Sequence, residues 1–69
     1  MYEALRKKRK DTNTTIKTLR ELIDIQTDAG YLKKETGVTV FTVEEAKLLA
    51  GYFGMTVDAL FGNRLSGED

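Results

Sequence analysis

The segment "QTDAGYLKKETG", residues 26–37, reads as a helix whose first turn is almost bare of side chains. Gly30 lies near its middle, where glycine costs about 1 kcal/mol relative to alanine, and Ala29 before it is also small. Tyr31 is the side chain that can anchor such a helix to a core, and Gly37 suits a left-handed C-cap. This composition favours close approach of the helix backbone to another surface.

Apolar spacing on either side of this segment predicts four more helices, and hence an all-α fold made of five short helices. The predicted spans are 2–10, 16–23, about 28–35, 43–53 and 57–61. Three starts are marked by threonine caps at Thr15, Thr42 and Thr56, and Thr42 forms a capping box with Glu45. The third helix is capped by Thr27 or Asp28. "TVFTVEE", residues 39–45, is the one strand-like run and is too short to build a sheet.

The apolar side of each predicted helix gives a candidate core. The second predicted helix, 16–23, has an apolar stripe at helical spacing. Ile25 in the turn that follows is expected to pack into the core. The inward residues of the fourth helix are Val43, Ala46, Leu49, Ala50 and Phe53, with Phe41–Ala46 and Met55–Leu60 as hydrophobic staples. In the first helix Tyr2, Leu5 and Arg9 share one face.

Length and residue types limit the possible functions. A chain of 69 residues forms one domain, which we place at 1–62, with a flexible C-terminal tail at 63–69. The chain has no histidine and no cysteine, and its acidic residues are expected at capping or exposed positions. We therefore expect no enzyme activity, no metal site, no cofactor and no small-molecule ligand. No segment resembles a signal peptide or a membrane span, so a cytoplasmic protein with no membrane partner is expected.

The formal net charge of zero hides an asymmetry between the two halves of the chain. Residues 1–38 hold nine basic and six acidic residues, a net charge of +3, whereas residues 39–69 hold two basic and five acidic residues, a net charge of −3. A basic half is consistent with a polyanionic partner. An ordinary solvated surface explains the same counts equally well.

Two helices joined by a four-residue turn in the middle of the chain have helix-turn-helix spacing. Such a unit lays its second helix in the major groove of DNA. On that helix, Leu32 can meet a thymine methyl group and Lys33 can reach a guanine or a phosphate. The alternative is a helix that is merely poorly amphipathic in a small bundle.

The order of these pieces resembles the phage-repressor-like helix-turn-helix regulators, also called the XRE or Cro/CI family. The resemblance covers residues 2–61 and rests most on "IQTDAGYLKKETG", "FTVEEAKLLAGYFGM" and "TVDALF". It implies a compact five-helix bundle of the lambda-repressor-like type with a central helix-turn-helix. It also implies a sequence-specific transcriptional regulator, of the kind encoded by phages or prophages, that binds a double-stranded DNA operator as a homodimer.

The resemblance also assigns site residues. The base-reading candidates are Asp28, Ala29, Gly30, Leu32 and Lys33. By the resemblance, Thr36 falls at a backbone-contacting position, and Thr15 and Ile16 fall where the supporting helix touches phosphate. Lys17, Thr27 and Lys34 are further phosphate candidates.

At several of these positions the chain differs from the family pattern. Ile16 replaces a glutamine, Arg20 replaces a small residue, and Asp24 stands where glycine makes the turn. Lys34 replaces an aliphatic residue, so its stem is expected to pack while its amine extends to solvent. Asp28 either accepts from a cytosine amine or caps the helix.

The basic run "RKKRK", residues 6–10, lies on the first helix, which in this fold crosses the DNA backbone. Not all five side chains can point the same way, so we expect one or two of them to touch DNA. A solvated helix face is the alternative.

A homodimer would double the contact that so small a module makes with DNA. We place its interface at the fifth helix and beyond, at Leu60, Phe61 and Leu65. A rival interpretation of the whole chain is a helix-turn-helix that binds protein, as an antirepressor or a repressor partner. The zero net charge and the acidic Asp24 and Asp28 favour that rival.

Overall fold

Threonines and glycines set the helix boundaries in this protein. Residues 2–62, which the computed structural model describes, contain α1 (Glu3–Asp11), α2 (Ile16–Leu22), α3 (Asp28–Thr36), α4 (Val43–Phe53) and α5 (Val57–Phe61). These bounds agree with the predicted spans to within one residue at each end. No strand occurs among the described residues, and "TVFTVEE" forms the loop before α4 and its first turn.

Four helices begin at a threonine whose side-chain oxygen accepts a hydrogen bond from a backbone N–H three residues later. The predicted caps Thr15, Thr42 and Thr56 are confirmed, as is the capping box between Thr42 and Glu45. The cap of α3 is Thr27, which accepts from the N–H of Gly30. These bonds satisfy backbone donors that the helices leave open at their first turns.

Left-handed glycines end α3 and α4. Gly37 has φ 93° and Gly54 has φ 67°, a conformation that costs a residue with a Cβ atom about 1–2 kcal/mol. The C-cap at Gly37 was predicted from the sequence, and both glycines allow the chain to change direction into the next connector.

Aromatic rings from α3, α5, the N-cap of α1 and the loop before α4 meet in the centre of the core. The ring of Phe41 lies edge-on to Tyr2, Tyr31 and Phe61, with centroids 5.3, 6.3 and 5.1 Å away. Around them are buried, in chain order, Leu5, Leu19, Ile23, Ala46, Leu49, Ala50 and Leu60. Ile25 packs against this cluster, as the sequence predicts, and both members of the Phe41–Ala46 staple are buried.

Two predictions about the core are wrong. Val43 is half exposed, because the buried side of α4 passes through Ala46, Leu49 and Ala50 and leaves Val43 on the flank of the first turn. Glu35 is only 1% exposed, although acidic residues were expected at capping or surface positions. A tertiary contact with α1, described below, explains the burial of Glu35.

No helix among the described residues has the length and apolar character needed to cross a bilayer. The predicted C-terminal tail, residues 63–69 with Leu65, lies outside the described residues.

Candidate nucleic-acid interface

The turn between α2 and α3, residues 23–27, is built around an aspartate and an arginine. Asp24 has φ 62°, the left-handed conformation that aspartate tolerates better than most residues. The Arg20 guanidinium lies against the turn, with Nη1 3.4 Å from the carbonyl oxygen of Ile25 and 3.3 Å from that of Gln26. Arg20 therefore stabilises the turn, and Asp24 adopts the left-handed conformation that the turn requires.

The outer side of α3 forms a continuous exposed stripe. Its members, at helical spacing, are Asp28, Ala29, Leu32, Lys33 and Thr36, which we call the α3 stripe. Leu32 is 37% exposed. The opposite side of the helix carries the buried Tyr31, so the predicted anchor is confirmed.

Gly30 does not belong to this stripe. A Cβ atom at Gly30 would lie 3.0 Å from Cγ2 of Ile25 and 3.1 Å from Oγ1 of Thr27. Because the missing side chain would point at the preceding turn, glycine is explained by packing within the chain. This corrects its assignment as an outward base-reading residue, whereas Ala29 is exposed as predicted.

The carboxylate of Asp28 is held by Arg20. Nε of Arg20 donates to Oδ1 at 2.7 Å, so the guanidinium compensates a negative charge at the start of the α3 stripe. Capping, one of the two roles considered for Asp28, belongs to Thr27 instead. The pair also joins α2 to α3 across the turn.

Lys34 lies on the inward flank of α3. Its amine donates to the carbonyl oxygen of Val40 at 3.0 Å and to Oε1 of Glu45 at 2.9 Å, and it lies 5.8 Å from the centre of the Phe41 ring. The amine therefore does not extend into solvent, and a phosphate would have to compete with Glu45 for it. The lysine serves to attach α3 to the start of α4.

A buried polar cluster attaches α3 to α1. Arg9 donates two hydrogen bonds to the carboxylate of Glu35, from Nε at 2.9 Å and from Nη2 at 2.8 Å. The hydroxyl of Tyr31 donates to the same carboxylate at 2.9 Å. This cluster was not predicted from the sequence, although the i, i+4 spacing of Tyr31 and Glu35 and the position of Arg9 on the face of Leu5 are visible there.

Two pKa values respond to this cluster. The hydrogen bond to Glu35 raises the pKa of Arg9. Burial, followed by the neighbouring Glu35 carboxylate, raises the pKa of the Tyr31 hydroxyl well above its ordinary value. Both shifts favour the charge states that the hydrogen bonds require, namely a protonated guanidinium and a neutral phenol.

The start of α2, the helix that precedes α3, carries one exposed cation. Lys17 is exposed, and the cap Thr15 shares a 2.8 Å hydrogen bond with the hydroxyl of Thr18. Ile16 packs against the core, so its side chain offers nothing to a phosphate. Thr27 is exposed as well, but its hydroxyl oxygen is engaged as the α3 cap.

The five side chains of the basic run on α1 take different positions. Arg9 donates its hydrogen bonds to Glu35 in the buried cluster. Lys7 forms an exposed ion pair with Asp11 at 3.0 Å. Arg6 and Lys10 are exposed and Lys8 is half-buried. The run is therefore not one continuous cationic surface.

The predicted dimer residues within the described chain lie in the core and not at the surface. Leu60 and Phe61 are both buried in the core of their own chain, because α5 covers the aromatic centre. They are not available to a second copy, and Leu65 lies outside the described residues. Within residues 2–62, no cluster of three potential metal ligands is present.

Comparison with protein families, with curated proteins and with solved structures finds no match for this chain.

Proposed function

We propose that α2 and α3 form a helix-turn-helix of the phage-repressor type and that the protein is a DNA-binding transcriptional regulator. The observation that carries the proposal is the α3 stripe. It is an exposed helix side with small, apolar and cationic members and one acidic member, Asp28, on a helix fixed at both ends to the rest of the domain.

Rigid attachment supports a reading role, because base recognition depends on the position of each side chain. Arg20 and Asp28 hold the first turn of α3 to the preceding turn. Arg9 and Glu35 hold its last turn to α1. A helix tied at both ends loses little further conformational freedom when it enters a groove.

The chemistry of the stripe fits base edges. Ala29 and Leu32 are suited to thymine methyl groups, and Lys33 is suited to the acceptor atoms of guanine. Asp28 would repel phosphates if it stood alone, but its charge is compensated by Arg20. Lys17 at the start of α2 is then a candidate for the flanking phosphate.

The direct experiment measures binding of the purified protein to duplex DNA from the region flanking its own gene, by fluorescence anisotropy. Lys33→Ala should weaken binding to the preferred site by about 1–3 kcal/mol and relax preference at one base pair. The matched control is Lys47→Ala, which removes the same charge from an exposed position on α4 and should leave binding unchanged. Equal effects of the two substitutions would count against a reading role for the α3 stripe.

A second candidate function is protein binding, and one surface favours it. Val38, Val40 and Val43 are all exposed where α3 connects to α4, and Val38 is 73% exposed. Three exposed valines close together in the chain are unusual for a solvated loop. An antirepressor or a repressor partner could cover them.

Substitution of the valines separates the two functions. Val38→Asp with Val40→Asp should abolish a protein interaction made through this loop. If the protein reads DNA through the α3 stripe, the same double variant should retain the base preference of the parent protein. Loss of that preference would place the reading surface at the loop instead.

A further inference from the structure

Arg20 and Asp28 form an ion pair whose two members differ in exposure. The side chain of Arg20 is 21% exposed and that of Asp28 is 63% exposed. Ion pairs as open as this one contribute little to stability, so stability alone does not explain the pair. The resemblance does not supply it either, because the family pattern has a small residue at the position of Arg20.

The pair leaves one carboxylate oxygen of Asp28 available. Oδ1 accepts from Nε of Arg20 at 2.7 Å, whereas Oδ2 accepts no hydrogen bond from another of the described residues. The guanidinium is itself held by the carbonyl oxygens of Ile25 and Gln26. Asp28 therefore presents an acceptor in a defined position at the exposed start of the α3 stripe.

An acceptor of this kind fits only some of the base edges in the major groove. An ionised carboxylate has no hydrogen to donate. Cytosine and adenine present an exocyclic amine in the groove, whereas guanine and thymine present acceptors. Adenine also places its acceptor N7 beside the amine, where it repels a carboxylate, so cytosine is the base best matched to Asp28.

We propose that Arg20 positions Asp28 to select one cytosine of the operator through its N4 amine, and that methylation of this amine blocks the contact. Watson–Crick pairing uses one hydrogen of the amine and leaves the other in the major groove. A methyl group on N4 takes the place of that second hydrogen, which is the one that Asp28 requires. The protein thereby distinguishes N4-methylated from unmodified DNA.

This inference rests on the proposed DNA binding and adds two things to it. Arg20 becomes a positioning residue, which acts on the base through Asp28. A chemical modification of the DNA becomes a means of regulating the same site.

The first test selects binding sites from a pool of randomised duplexes and then measures single-base variants by fluorescence anisotropy. The parent chain should prefer cytosine at one position by at least about fivefold over guanine and thymine, and N4-methylcytosine there should weaken binding by a similar factor. The same modification just outside the selected site should have no effect.

The outcomes separate this inference from the proposed function. If Lys33→Ala relaxes a base preference but N4-methylcytosine is tolerated at every position of the site, the protein reads DNA and the role of Asp28 is overturned. A protein that prefers no DNA sequence would overturn both proposals.

Asp28→Asn should invert the preference at the same position. The amide oxygen remains available to Arg20, and the free atom becomes a donor. Cytosine has no acceptor on its own major-groove edge, so it should change from the most favoured base to the least favoured. A preference that stays with cytosine would overturn the proposal.

Asp24→Asn is the matched control for that substitution. It removes a carboxylate from the same turn, and asparagine tolerates the left-handed conformation of this position. The control should change affinity for all sequences alike and keep the preference for cytosine. Inversion by Asp24→Asn as well would show that turn charge, and not Asp28, sets the preference.

Arg20→Met tests the positioning role, because it keeps an unbranched apolar stem and removes the hydrogen bonds to Asp28 and the turn. The preference for cytosine should fall, whereas the preference read by Lys33 should remain. Circular dichroism checks that the helices are kept. Equal loss of both preferences would indicate a merely structural role, and an unchanged preference for cytosine would show that Asp28 needs no support; either result would overturn the role of Arg20.

Discussion

Glu35 is the residue whose environment departs most from its chemical type. Its side chain is 2% exposed and that of Arg9 is 12% exposed, so both charged groups have lost most of their water. Transfer of such groups to the interior costs several kcal/mol per ion unless hydrogen bonds replace the water. Here the guanidinium supplies two bonds and the Tyr31 hydroxyl a third, so the carboxylate has partners on both oxygens.

Arg9→Met should destabilise the domain strongly. It leaves the Glu35 carboxylate buried without its countercharge, and loss of one partner of a buried pair typically costs about 3–5 kcal/mol. A domain of this size has a total stability of roughly 3–10 kcal/mol, so a large fraction of the variant should be unfolded at 37 °C. Chemical denaturation followed by circular dichroism measures the change.

Removing the whole cluster is the control for that substitution. Arg9→Met combined with Tyr31→Phe and Glu35→Leu leaves no polar group without a partner, and such replacements are often close to neutral. The triple variant should therefore be more stable than Arg9→Met alone. A triple variant as unstable as the single one would show that the cluster matters through shape rather than charge.

Tyr31 gives the protein a specific alkaline sensitivity. Its pKa is raised from an ordinary value of 10.0, so above about pH 10 the unfolded chain loses a proton that the folded chain keeps. The unfolded state then binds fewer protons, and stability falls as pH rises by up to about 1.4 kcal/mol per unit. Below that pH this contribution is fully present.

Thermal melts between about pH 8 and pH 11 compare the parent chain with Tyr31→Phe. The variant loses the hydrogen bond to Glu35 and should melt lower at neutral pH. Its melting temperature should nevertheless fall less steeply above pH 10. Parallel pH profiles for the two proteins would mean that Tyr31 ionises equally easily in both states.

Part of this residue-scale structure was accessible from the sequence. Tyr31 was expected to be an anchor because it is the bulky residue next to a bare turn. The burial of Glu35 was not expected, because it depends on the hydrogen bonds between Arg9 of α1 and Glu35 of α3. The spacing of Tyr31 and Glu35 is visible in the sequence, but it does not specify that Arg9 completes the cluster. Lys34 was misplaced for the same reason, because its partner Glu45 belongs to the next helix.

Among whole elements, helix ends were predictable and side-chain directions were less so. A threonine cap is a bond between residues three positions apart, so the chain itself contains both partners. The direction of Gly30 depends instead on how the turn at Ile25 folds back over α3. For that reason the small residue at Gly30 was attributed to close approach of DNA, whereas contact with Ile25 and Thr27 of the same chain explains it.

Gly30 and Gly51 form a matched pair for testing this distinction. Gly51 lies inside α4, and a Cβ atom there would meet nothing within 4 Å. Gly51→Ala should therefore stabilise the domain by up to about 1 kcal/mol, the difference in helix propensity. Gly30→Ala has the same propensity gain, but its methyl group meets Ile25 and the engaged cap oxygen of Thr27. Crowding of this kind costs about 1–3 kcal/mol, so we expect net destabilisation.

Denaturant midpoints of the two variants at low protein concentration give the comparison. Opposite signs would confirm that Gly30 is required by the turn. Stabilisation by both alanines would mean that Ile25 and Thr27 move aside easily. Packing within the chain would then not explain Gly30, and close approach of another surface to α3 would remain as the explanation.

Across the whole molecule, some charged residues form ion pairs that stabilise the fold, and others are exposed to solvent. Arg9, Arg20 and Lys34 lie in the basic half, yet each is paired with a carboxylate in the structure. Glu35 and Asp28 are already counted in the net charge of +3, so the ion pairs do not change that sum, but they reduce the number of cations that are available to phosphates. The apolar residues of α5 were misassigned as well, since Leu60 and Phe61 were expected at a dimer interface and are buried in the core of their own chain.

Salt dependence is the measurement that decides between DNA and protein as the partner. Each phosphate contact contributes about 0.9 to the slope of log affinity against log salt concentration. Since several cations are already paired, we expect a slope set by only a few contacts. Lys17→Ala should lower that slope by about one and weaken all DNA sequences alike, whereas Lys47→Ala should leave it unchanged. If the affinity of the protein for its partner does not vary with salt concentration, a protein partner that covers Val38 and Val40 is favoured instead.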